Sequence, residues 1–328
     1  MTTRSFTEAI RETLEAEMRR DRRIILMGED IGAYGGAFGA TRGLLDRFGP
    51  ERVINTPISE LSVVGAATGA AMTGLRPVVE IMFMDFLTLA MDPLVNLAAK
   101  ARYLFGDQAR CPLVIRTACG AGRGYGATHS QTLTAWLLHV PGIRIAAPST
   151  PTDAIGLLKT ALRGNDPVLF LEHKLLYGTR EELTLPVAKI RPCPYGKARV
   201  VTAGNDCTLV AWSWMLQEAL RAHAILSQQG IRIDVIDLRT LAPMDVATMV
   251  ESVRRTGRLV IADEACRSGS VSAEIAARIF EQAHDYLDAP ICRLTAPDTP
   301  IPAASNLEAG WMPSAADMVR AVHTITGR

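Results

Sequence analysis

The feature that most constrains the fold is a regular alternation of short, uniformly apolar runs with longer helix-like stretches. In the first half of the chain the apolar runs lie at 24–27, 53–54, 78–83, 113–115, 143–146 and 168–171. Helix-like stretches at about 7–20, 41–48, 61–73, 88–104, 131–139 and 152–163 precede or separate them. Strands that are apolar on both faces are typical of a parallel sheet covered by helices on both sides. The pattern therefore predicts an α/β fold with a doubly wound, mostly parallel sheet.

The alternation pauses once and then resumes, which divides the chain into two domains. A polar stretch is punctuated by Pro186, Pro192, Pro194 and Gly196, and this composition is typical of a linker. Strand-like runs begin again near 208, 231, 259 and 291, with helix-like stretches near 215, 245, 272 and 314. We predict an N-terminal α/β domain at 1–186, a linker at 187–204 and a smaller C-terminal α/β domain at 205–328.

Composition narrows the classes of function. The 328 residues include 35 basic and 34 acidic side chains, a net charge of +1, and they form no basic block, which argues against a nucleic-acid partner. No apolar run reaches the ~20 residues that cross a bilayer, and the N-terminus enters a helical pattern without an apolar signal segment. We therefore expect no membrane partner and a cytoplasmic location. The six cysteines form no C-x-x-C pair, which favours reduced thiols over a zinc site or disulfide framework.

The stretch 55–74 holds a single ionisable side chain, Glu60, among small and apolar neighbours. Thr56 or Ser59 can cap a helix here and Pro57 fits its first turn. The glycines and alanines that follow allow this helix to pack closely against another backbone. Burial among apolar neighbours would raise the pKa of a carboxyl group here, whereas the helix N-terminus would lower it. Such opposing effects are typical of an acid that takes part in binding or catalysis. The alternative, that Glu60 only begins a helix where acids are favoured, stays open.

Two loops are rich in glycine, 28–43 and 120–126, and the second leads into His129. The second loop contains a G-x-G-x-x-A frame, but its strand is not the first of the domain and no acid follows about 20 residues later, so we reject a dinucleotide site. We expect these glycines to fold closely around a ligand and to carry His129 into a cleft. The alternative is that His129 is an ordinary surface histidine.

Phe86 follows the end of a predicted strand, which is where parallel sheets bind ligands. The apolar pattern around Phe86 also fits a residue of the hydrophobic core.

Short motifs spread over the whole chain form a specific combination. They are Thr-Pro-Ile-Ser-Glu (56–60), Gly-Ala-Ala-x-Gly-Ala-Ala-x-x-Gly-Leu-Arg-Pro (65–77), Phe-Met-Asp-Phe (83–86), Asn-Leu-Ala-Ala-Lys (96–100), His-Ser-Gln (129–131), Glu-His-Lys-Leu-Leu-Tyr (172–177), Tyr-Leu-Asp-Ala-Pro (286–290) and Pro-Asp-Thr-Pro-Ile-Pro (297–302). In this combination the chain resembles the β subunit of thiamine-diphosphate-dependent 2-oxo-acid dehydrogenases. The resemblance implies a pyrimidine-binding domain of the transketolase type, followed by a transketolase-type C-terminal domain.

The resemblance also implies roles for the residues singled out above. Glu60 matches the acid that hydrogen-bonds the aminopyrimidine of thiamine diphosphate and favours its imino tautomer. Phe86 matches the aromatic residue against which that ring packs. His129 matches an active-site histidine that orients the 2-oxo acid or assists acyl transfer to a lipoyl group. Glu29 is a further acid near the pocket.

Some members of the family hold a potassium ion through main-chain carbonyls. By position the resemblance assigns these ligands to Leu113, Ala161, Leu162, Gly164 and Asp166. Gly164 stands where relatives have an acid, which is a departure from the family pattern.

The motif that binds magnesium diphosphate in this superfamily, Gly-Asp-Gly followed by asparagines, is absent from the sequence. In the family that half of the site belongs to a separate α subunit, which carries most of the Mg²⁺ ligation. The resemblance therefore implies an α2β2 heterotetramer. It also implies docking onto a lipoyl-acyltransferase core through the second domain.

The substrate is less well defined by the sequence. The motifs Ile-Met-Phe-Met-Asp-Phe and Glu-His-Lys-Leu-Leu-Tyr look closest to acetoin dehydrogenase β chains, with pyruvate dehydrogenase next, whereas the loop 118–126 differs from both. A specialised enzyme that makes or cleaves a carbon–carbon bond without a lipoyl partner stays open. So does a non-catalytic scaffold subunit, although Glu60, Phe86 and His129 are all retained. A one-chain transketolase-like enzyme is disfavoured, because the diphosphate-binding half is missing and the chain is too short to contain it.

Overall fold

The chain forms two α/β units, each with its own sheet. A computed structural model describes residues 2–328. The first unit comprises the chain up to Cys119 together with Leu137–Tyr195, and the second comprises Gly120–Trp136 and Gly196–Arg328. The chain therefore passes from one unit to the other at 119/120, 136/137 and 195/196. The last of these crossings lies inside the predicted linker 187–204. The assignment of 120–136 to the second unit is a feature that the sequence did not predict.

The first unit contains most of the predicted strands and helices. Its strands are β1 (Thr2–Ser5), β2 (Ile24–Gly28), β3 (Val53–Asn55), β4 (Arg76–Phe83), β5 (Val114–Cys119), β6 (Arg144–Ala146), β7 (Val168–His173) and β8 (Arg180–Leu183). Its α-helices are α1 (Phe6–Arg20), α2 (Leu44–Phe48), α3 (Glu60–Met72), α4 (Ala101–Leu104) and α6 (Pro151–Arg163), while α5 (Thr134–Leu138) spans a crossing between the units.

The sheet of the first unit has the expected parallel arrangement. Its strands run in the order β6-β7-β5-β4-β2-β3, and every one of these neighbouring pairs is parallel. The central strands β5 and β7 are buried at every position, as the uniformly apolar runs predicted. Helix α1 begins with a capping box between Ser5 and Glu8 and packs against α6.

The structure corrects three local predictions. The helix expected at 88–104 is divided into a 3-10 segment (Met84–Ala90), a π-helical segment (Pro93–Ala98) and α4, because Pro93 has no N–H to donate to the preceding turn. Pro57 precedes α3 instead of lying in its first turn. The linker stretch holds a 3-10 turn at Val187–Lys189 and a strand at its end.

The second unit is organised around a smaller sheet. Its strands are β9 (Arg199–Thr202), β10 (Cys207–Ala211), β11 (Ile233–Asp237), β12 (Thr240–Ala242), β13 (Leu259–Cys266) and β14 (Cys292–Ala296), and its helices are α7 (Trp214–Gln228), α8 (Val246–Thr256), α9 (Val271–Ala283), α10 (Ser305–Trp311) and α11 (Ala315–Thr326), with a 3-10 turn at His284–Tyr286. The sheet order is β14-β13-β10-β11-β9. All of these pairs are parallel except the edge strand β9, which is antiparallel to β11. An apolar core joins this sheet to α7 and α11.

Helix length and polarity bear on membrane association. Over residues 2–328, none of the helices is both long enough and apolar enough to cross a bilayer.

Candidate functional site

Three adjacent strands bring the predicted acids and the predicted aromatic residue to one edge of the first sheet. Strand β2 pairs with β3 on one side and with β4 on the other, both in parallel. Glu29 follows β2, Glu60 begins the helix after β3, and Phe86 lies in the segment after β4. Because the carboxyl ends of parallel strands meet at one edge, these side chains share the usual ligand-binding side of the sheet.

The Glu60 carboxyl group is enclosed and lacks a partner within the chain. It is only 8% exposed, and none of residues 2–328 donates a hydrogen bond to it. Four residues earlier in the sequence, the hydroxyl of Thr56 is buried with no hydrogen-bond partner in the described chain. Buried polar groups are nearly always satisfied, so this hydroxyl indicates a ligand or partner chain that supplies the missing hydrogen bond.

The local backbone explains how Glu60 is held. Ser59 is the N-cap residue of α3 but its side chain makes no capping bond; its hydroxyl lies 2.9 Å from that of Ser62 instead. The helix packs against β4 and against the 3-10 and π-helical segments that follow it. A Cβ atom on Gly65 would lie 3.9 Å from the Pro93 side chain, an ordinary van der Waals distance, whereas one on Gly69 would meet nothing within 4 Å. Glu60 is therefore fixed by the packing of the helix.

Glu29 shares the electrostatic environment of Glu60. Burial raises the pKa of Glu29, and the negative charges of Glu60 and Asp30 raise it further. Two carboxyl groups that repel each other favour a proton or a hydrogen-bond donor between or beside them. Glu29 and Glu60 therefore provide a negatively charged region that can accept hydrogen bonds from a nitrogen-containing ligand.

Phe86 belongs to a row of aromatic rings. It meets Phe83 edge to face at a centroid distance of 6.1 Å, and Phe83 meets Phe38 in the same way at 5.9 Å. Phe38 stacks on Tyr177 at 4.6 Å. Phe86 itself is half-buried, so part of its ring remains available at the sheet edge. This ring can pack against a planar apolar ligand.

Behind these rings lies a buried ion network that the sequence interpretation missed. Arg116 on β5 donates two hydrogen bonds to Glu172 on β7, at 2.7 and 2.8 Å, and one to Glu80 on β4, at 2.7 Å. The Tyr177 hydroxyl donates to Glu172 at 2.8 Å. Burial alone lowers the pKa of Arg116, but the charges of Glu172 and Glu80 outweigh it and hold the pKa above its ordinary value. The sequence does contain a sign of this network, because Arg116, Glu172 and Glu80 are charged residues within apolar strands. Charged side chains that are buried in this way must pair with opposite charges.

His129 belongs to the second unit, in the loop between β5 and α5. It is half-buried, and its Nδ1 lies 3.0 Å from the Thr128 hydroxyl. The structure thus places Glu29, Glu60 and Phe86 together in one unit and His129 in the other.

Four of the five carbonyls assigned to potassium already accept a hydrogen bond in this chain. The Arg76 guanidinium donates to the carbonyl of Leu162 at 2.9 Å and also to that of Gly164. The Leu113 carbonyl accepts from Val168 within the sheet at 2.8 Å, and Ala161 accepts from Gly164 at 3.2 Å. The side chain of Asp166 binds Arg144 and Arg102. The Arg76 guanidinium therefore occupies two of the five expected carbonyl ligands, and its charge would repel a cation placed between them. We propose that Arg76 takes the place of a potassium ion in this chain.

We expect the stability of the protein to be insensitive to potassium. Exchanging KCl for NaCl or choline chloride at equal ionic strength should leave the melting temperature unchanged, because Arg76 supplies the positive charge. Arg76→Met should lose about 1–3 kcal/mol, since two carbonyls are left without donors. Arg23→Met, which removes an exposed arginine with a local partner, serves as the control. A rise in melting temperature specific to potassium in the wild type would contradict this assignment.

Family models match nearly the whole chain in two parts. The first, described as the pyrimidine binding domain of transketolase, matches residues 2–180, and the second, the C-terminal domain of transketolase, matches residues 196–318. A solved structure described as a split-gene transketolase, an inactive β4 tetramer, superposes with a TM-score of 0.79 over 98% of both chains at 23% identity. This likeness confirms the predicted two-domain α/β fold.

Two kinds of relatives match the sequence at the same level. The pyruvate dehydrogenase E1 component subunit beta of Rhizobium meliloti is 44% identical over 99% of this chain and 70% of its own length. The acetoin:2,6-dichlorophenolindophenol oxidoreductase subunit beta of Cupriavidus necator is 44% identical over 95% of this chain and 94% of its own length. Sequence identity therefore does not favour acetoin dehydrogenases over pyruvate dehydrogenases, but it does establish the family. The chain belongs to the family of thiamine-diphosphate-dependent pyruvate and acetoin dehydrogenase β subunits, which are built from transketolase pyrimidine-binding and C-terminal domains.

Proposed function

We propose that this chain is the β half of an α2β2 enzyme that binds thiamine diphosphate and cleaves the carbon–carbon bond of a 2-oxo acid or of acetoin. The observation that carries the proposal is the enclosed Glu60 carboxyl group, which has no donor in the described chain and lies at the ligand-binding edge of a pyrimidine-binding domain. Thiamine diphosphate, when bound, supplies the electron sink that this cleavage requires.

The residues of the first unit suit the aminopyrimidine end of the cofactor. Glu60 would hydrogen-bond a ring nitrogen and hold the shared proton there. Phe86 would pack against the ring, and Glu29 would add negative charge beside it. These contacts would orient the cofactor and tune its electronics, which is the usual contribution of the protein in cofactor enzymes.

His129 would act on the substrate side. An imidazole ring can both donate and accept a proton through its two nitrogens. We assign it the orientation of the substrate carboxylate or the protonation that accompanies transfer of the product group to an acceptor such as a lipoyl arm.

Exposed apolar side chains around Glu60 support a partner subunit. Ile58, two residues before Glu60, is 82% exposed, and Leu61, the residue after it, is 51% exposed. Such a patch on a folded chain is typical of an interaction surface. The α subunit would cover it and contribute the Mg²⁺-diphosphate half of the site, for which this sequence has no motif.

A lipoyl-acyltransferase core is the proposed acceptor, docked through the second unit. In that unit a groove of about 670 Å³ is lined by Phe280, His284, Leu287 and residues 288–291. Phe280 is largely exposed there, which supports an apolar contact with another protein.

The test is to purify the chain with its α subunit and to measure both mass and turnover. An α2β2 mass is expected by sedimentation, with a further shift when the acyltransferase core is added. Turnover is measured with thiamine diphosphate, Mg²⁺ and an artificial electron acceptor. Release of carbon dioxide from pyruvate or branched 2-oxo acids would assign a 2-oxo-acid dehydrogenase, whereas acetaldehyde formed from acetoin would assign an acetoin dehydrogenase.

Two results would contradict the proposal. A lone β chain that binds thiamine diphosphate tightly would remove the need for an α subunit. Absence of turnover with every substrate, although the cofactor is bound, would favour the alternative of a specialised enzyme that works on carbon–carbon bonds without a lipoyl acceptor.

A further inference from the structure

The glycine loop before His129 has a backbone built to bind an anion. Glycine at every second position adopts a left-handed conformation, with φ of +88° at Gly120, +97° at Gly122, +69° at Gly124 and +73° at Gly126. Residues in the left-handed conformation can point neighbouring N–H groups toward one side and so help to form an anion-binding concavity. L-residues with a side chain rarely adopt these angles, which explains why glycine occupies all four positions.

The anion in this concavity is a side chain of the same unit. Glu308 on α10 accepts the N–H of Gly122 at 2.8 Å with one carboxylate oxygen and the N–H of Gly124 at 2.7 Å with the other. The Glu308 side chain is buried, at 3% exposure. Hydrogen bonds from N–H groups to a carboxylate are among the stronger ones in proteins. The glycine loop, which we expected to fold around a ligand, therefore binds a carboxylate of the same chain.

Close packing supports the same contact. A Cβ atom on Gly124 would lie 3.2 Å from the Ala303 carbonyl oxygen, and one on Gly126 would lie 3.3 Å from the Ala303 side chain. Ala121 packs in an apolar cluster with Trp311 and its neighbours. The first half of the loop thus lies tightly against the segment that carries Glu308.

A second carboxylate holds the far side of the loop. The Thr132 hydroxyl donates to Glu264, near the end of β13, at 2.6 Å. His129 lies between the two attachment points. A cavity of about 850 Å³ borders residues 127–128, 131–133 and 135–136, so packing against the loop beside His129 is incomplete on that side.

We propose that Glu308 is a positioning residue for His129: its carboxylate fixes the glycine loop and thereby the place of the imidazole. The inference rests on the proposed function for what the imidazole does. Without the carboxylate, four glycines free to adopt many conformations would let the loop and the histidine move.

The first test measures loop order without reference to activity. Glu308→Gln keeps the shape of the side chain but turns an NH2 group toward one of the two backbone N–H groups. Hydrogen exchange of the amides of Gly122 and Gly124, followed in the α2β2 complex, should accelerate by about tenfold or more. Glu274→Gln, which removes an exposed carboxylate paired with Arg278 on α9, should leave exchange in the loop unchanged. Unchanged exchange in Glu308→Gln would overturn the proposal.

The second test asks whether Glu308 acts through His129. In the wild-type background Glu308→Gln should lower kcat about tenfold or more, with the apparent affinity for thiamine diphosphate unchanged. In a His129→Ala background the same substitution should change kcat by no more than about twofold, because residues that act as a unit are not additive. A loss of equal size in both backgrounds, or faster exchange with normal turnover, would show a purely structural role and overturn the proposal.

The two tests also separate this inference from the proposed function. A wild-type complex that turns over none of the substrates would contradict the proposed function, and with it the catalytic part of this inference. The exchange measurement would still decide whether Glu308 orders the loop.

Discussion

Glu60→Gln is expected to abolish most of the activity of the assembled enzyme while leaving its fold intact. Glutamine has the same shape, but it cannot hold an acidic proton beside a ring nitrogen. Losses of about 10²- to 10³-fold in kcat are typical when a group of this kind is neutralised. The measurement is steady-state turnover of the α2β2 complex with its substrate at saturating thiamine diphosphate. Cofactor affinity, followed by fluorescence or calorimetry, should weaken as well.

Two further variants make this expectation specific. Asp46→Asn neutralises another acid in the first turn of a helix in the same unit; because Asp46 is exposed, normal activity is expected. Glu29→Gln should have an intermediate effect, since Glu29 acts on the pocket through charge. Unchanged turnover in Glu60→Gln would instead support a scaffold role for the subunit, with all chemistry carried by its α partner.

Arg116→Met is expected to cause the largest loss of stability of any single substitution considered. Arg116 is 1% exposed and supports two carboxylates on neighbouring strands. Removing it leaves Glu172 and Glu80 buried without their counter-ion, which typically destabilises a protein by about 3–5 kcal/mol. That is a large part of the total stability of an ordinary domain. Urea denaturation and thermal melting of the purified complex would measure the loss.

A triple variant distinguishes the loss of charge balance from a loss of packing. Arg116→Met combined with Glu172→Met and Glu80→Met replaces all three paired charges by apolar side chains and should recover much of the stability, since well-packed apolar replacements of buried ion pairs are often tolerated. Arg180→Met removes an exposed arginine that lies 3.6 Å from Glu8 and should change stability by less than about 1 kcal/mol. A mild effect of Arg116→Met would mean that water or rearrangement satisfies the carboxylates.

The sequence predicted best those strands and helices whose side chains are buried on every face or at regular intervals. The apolar runs became the parallel strands β2 to β7, and the small-residue stretch after Glu60 became α3, because burial on both faces or close helix packing leaves a direct record in composition. The polar ribbon of β1 and β8, which pairs antiparallel, was missed because the sequences Thr-Thr-Arg-Ser and Arg-Glu-Glu-Leu carry no apolar alternation.

The site was predicted in part, and the reason differs from residue to residue. Glu60 and Phe86 follow strands and stand out from their neighbours, so position along the chain was sufficient to find them. The contacts of Arg76 and Glu308 join parts of the chain far apart in sequence, 86 and 186 residues respectively. No local pattern records such pairings. In the case of Glu308 the glycine loop was expected to fold around a ligand, but the glycine spacing could not reveal that the group it binds belongs to the chain itself.

The three crossings of the chain between its units limit where the gene can be divided. A fragment that ends at Tyr195 would retain His129 and its four glycines but would lose Glu308 and Glu264, which hold that loop. The remaining fragment would keep both carboxylates with no loop to bind. Recombination at 195/196 between two members of the family would therefore preserve both sheets. It would nevertheless combine the histidine loop of one parent with the two carboxylates of the other, which need not match it.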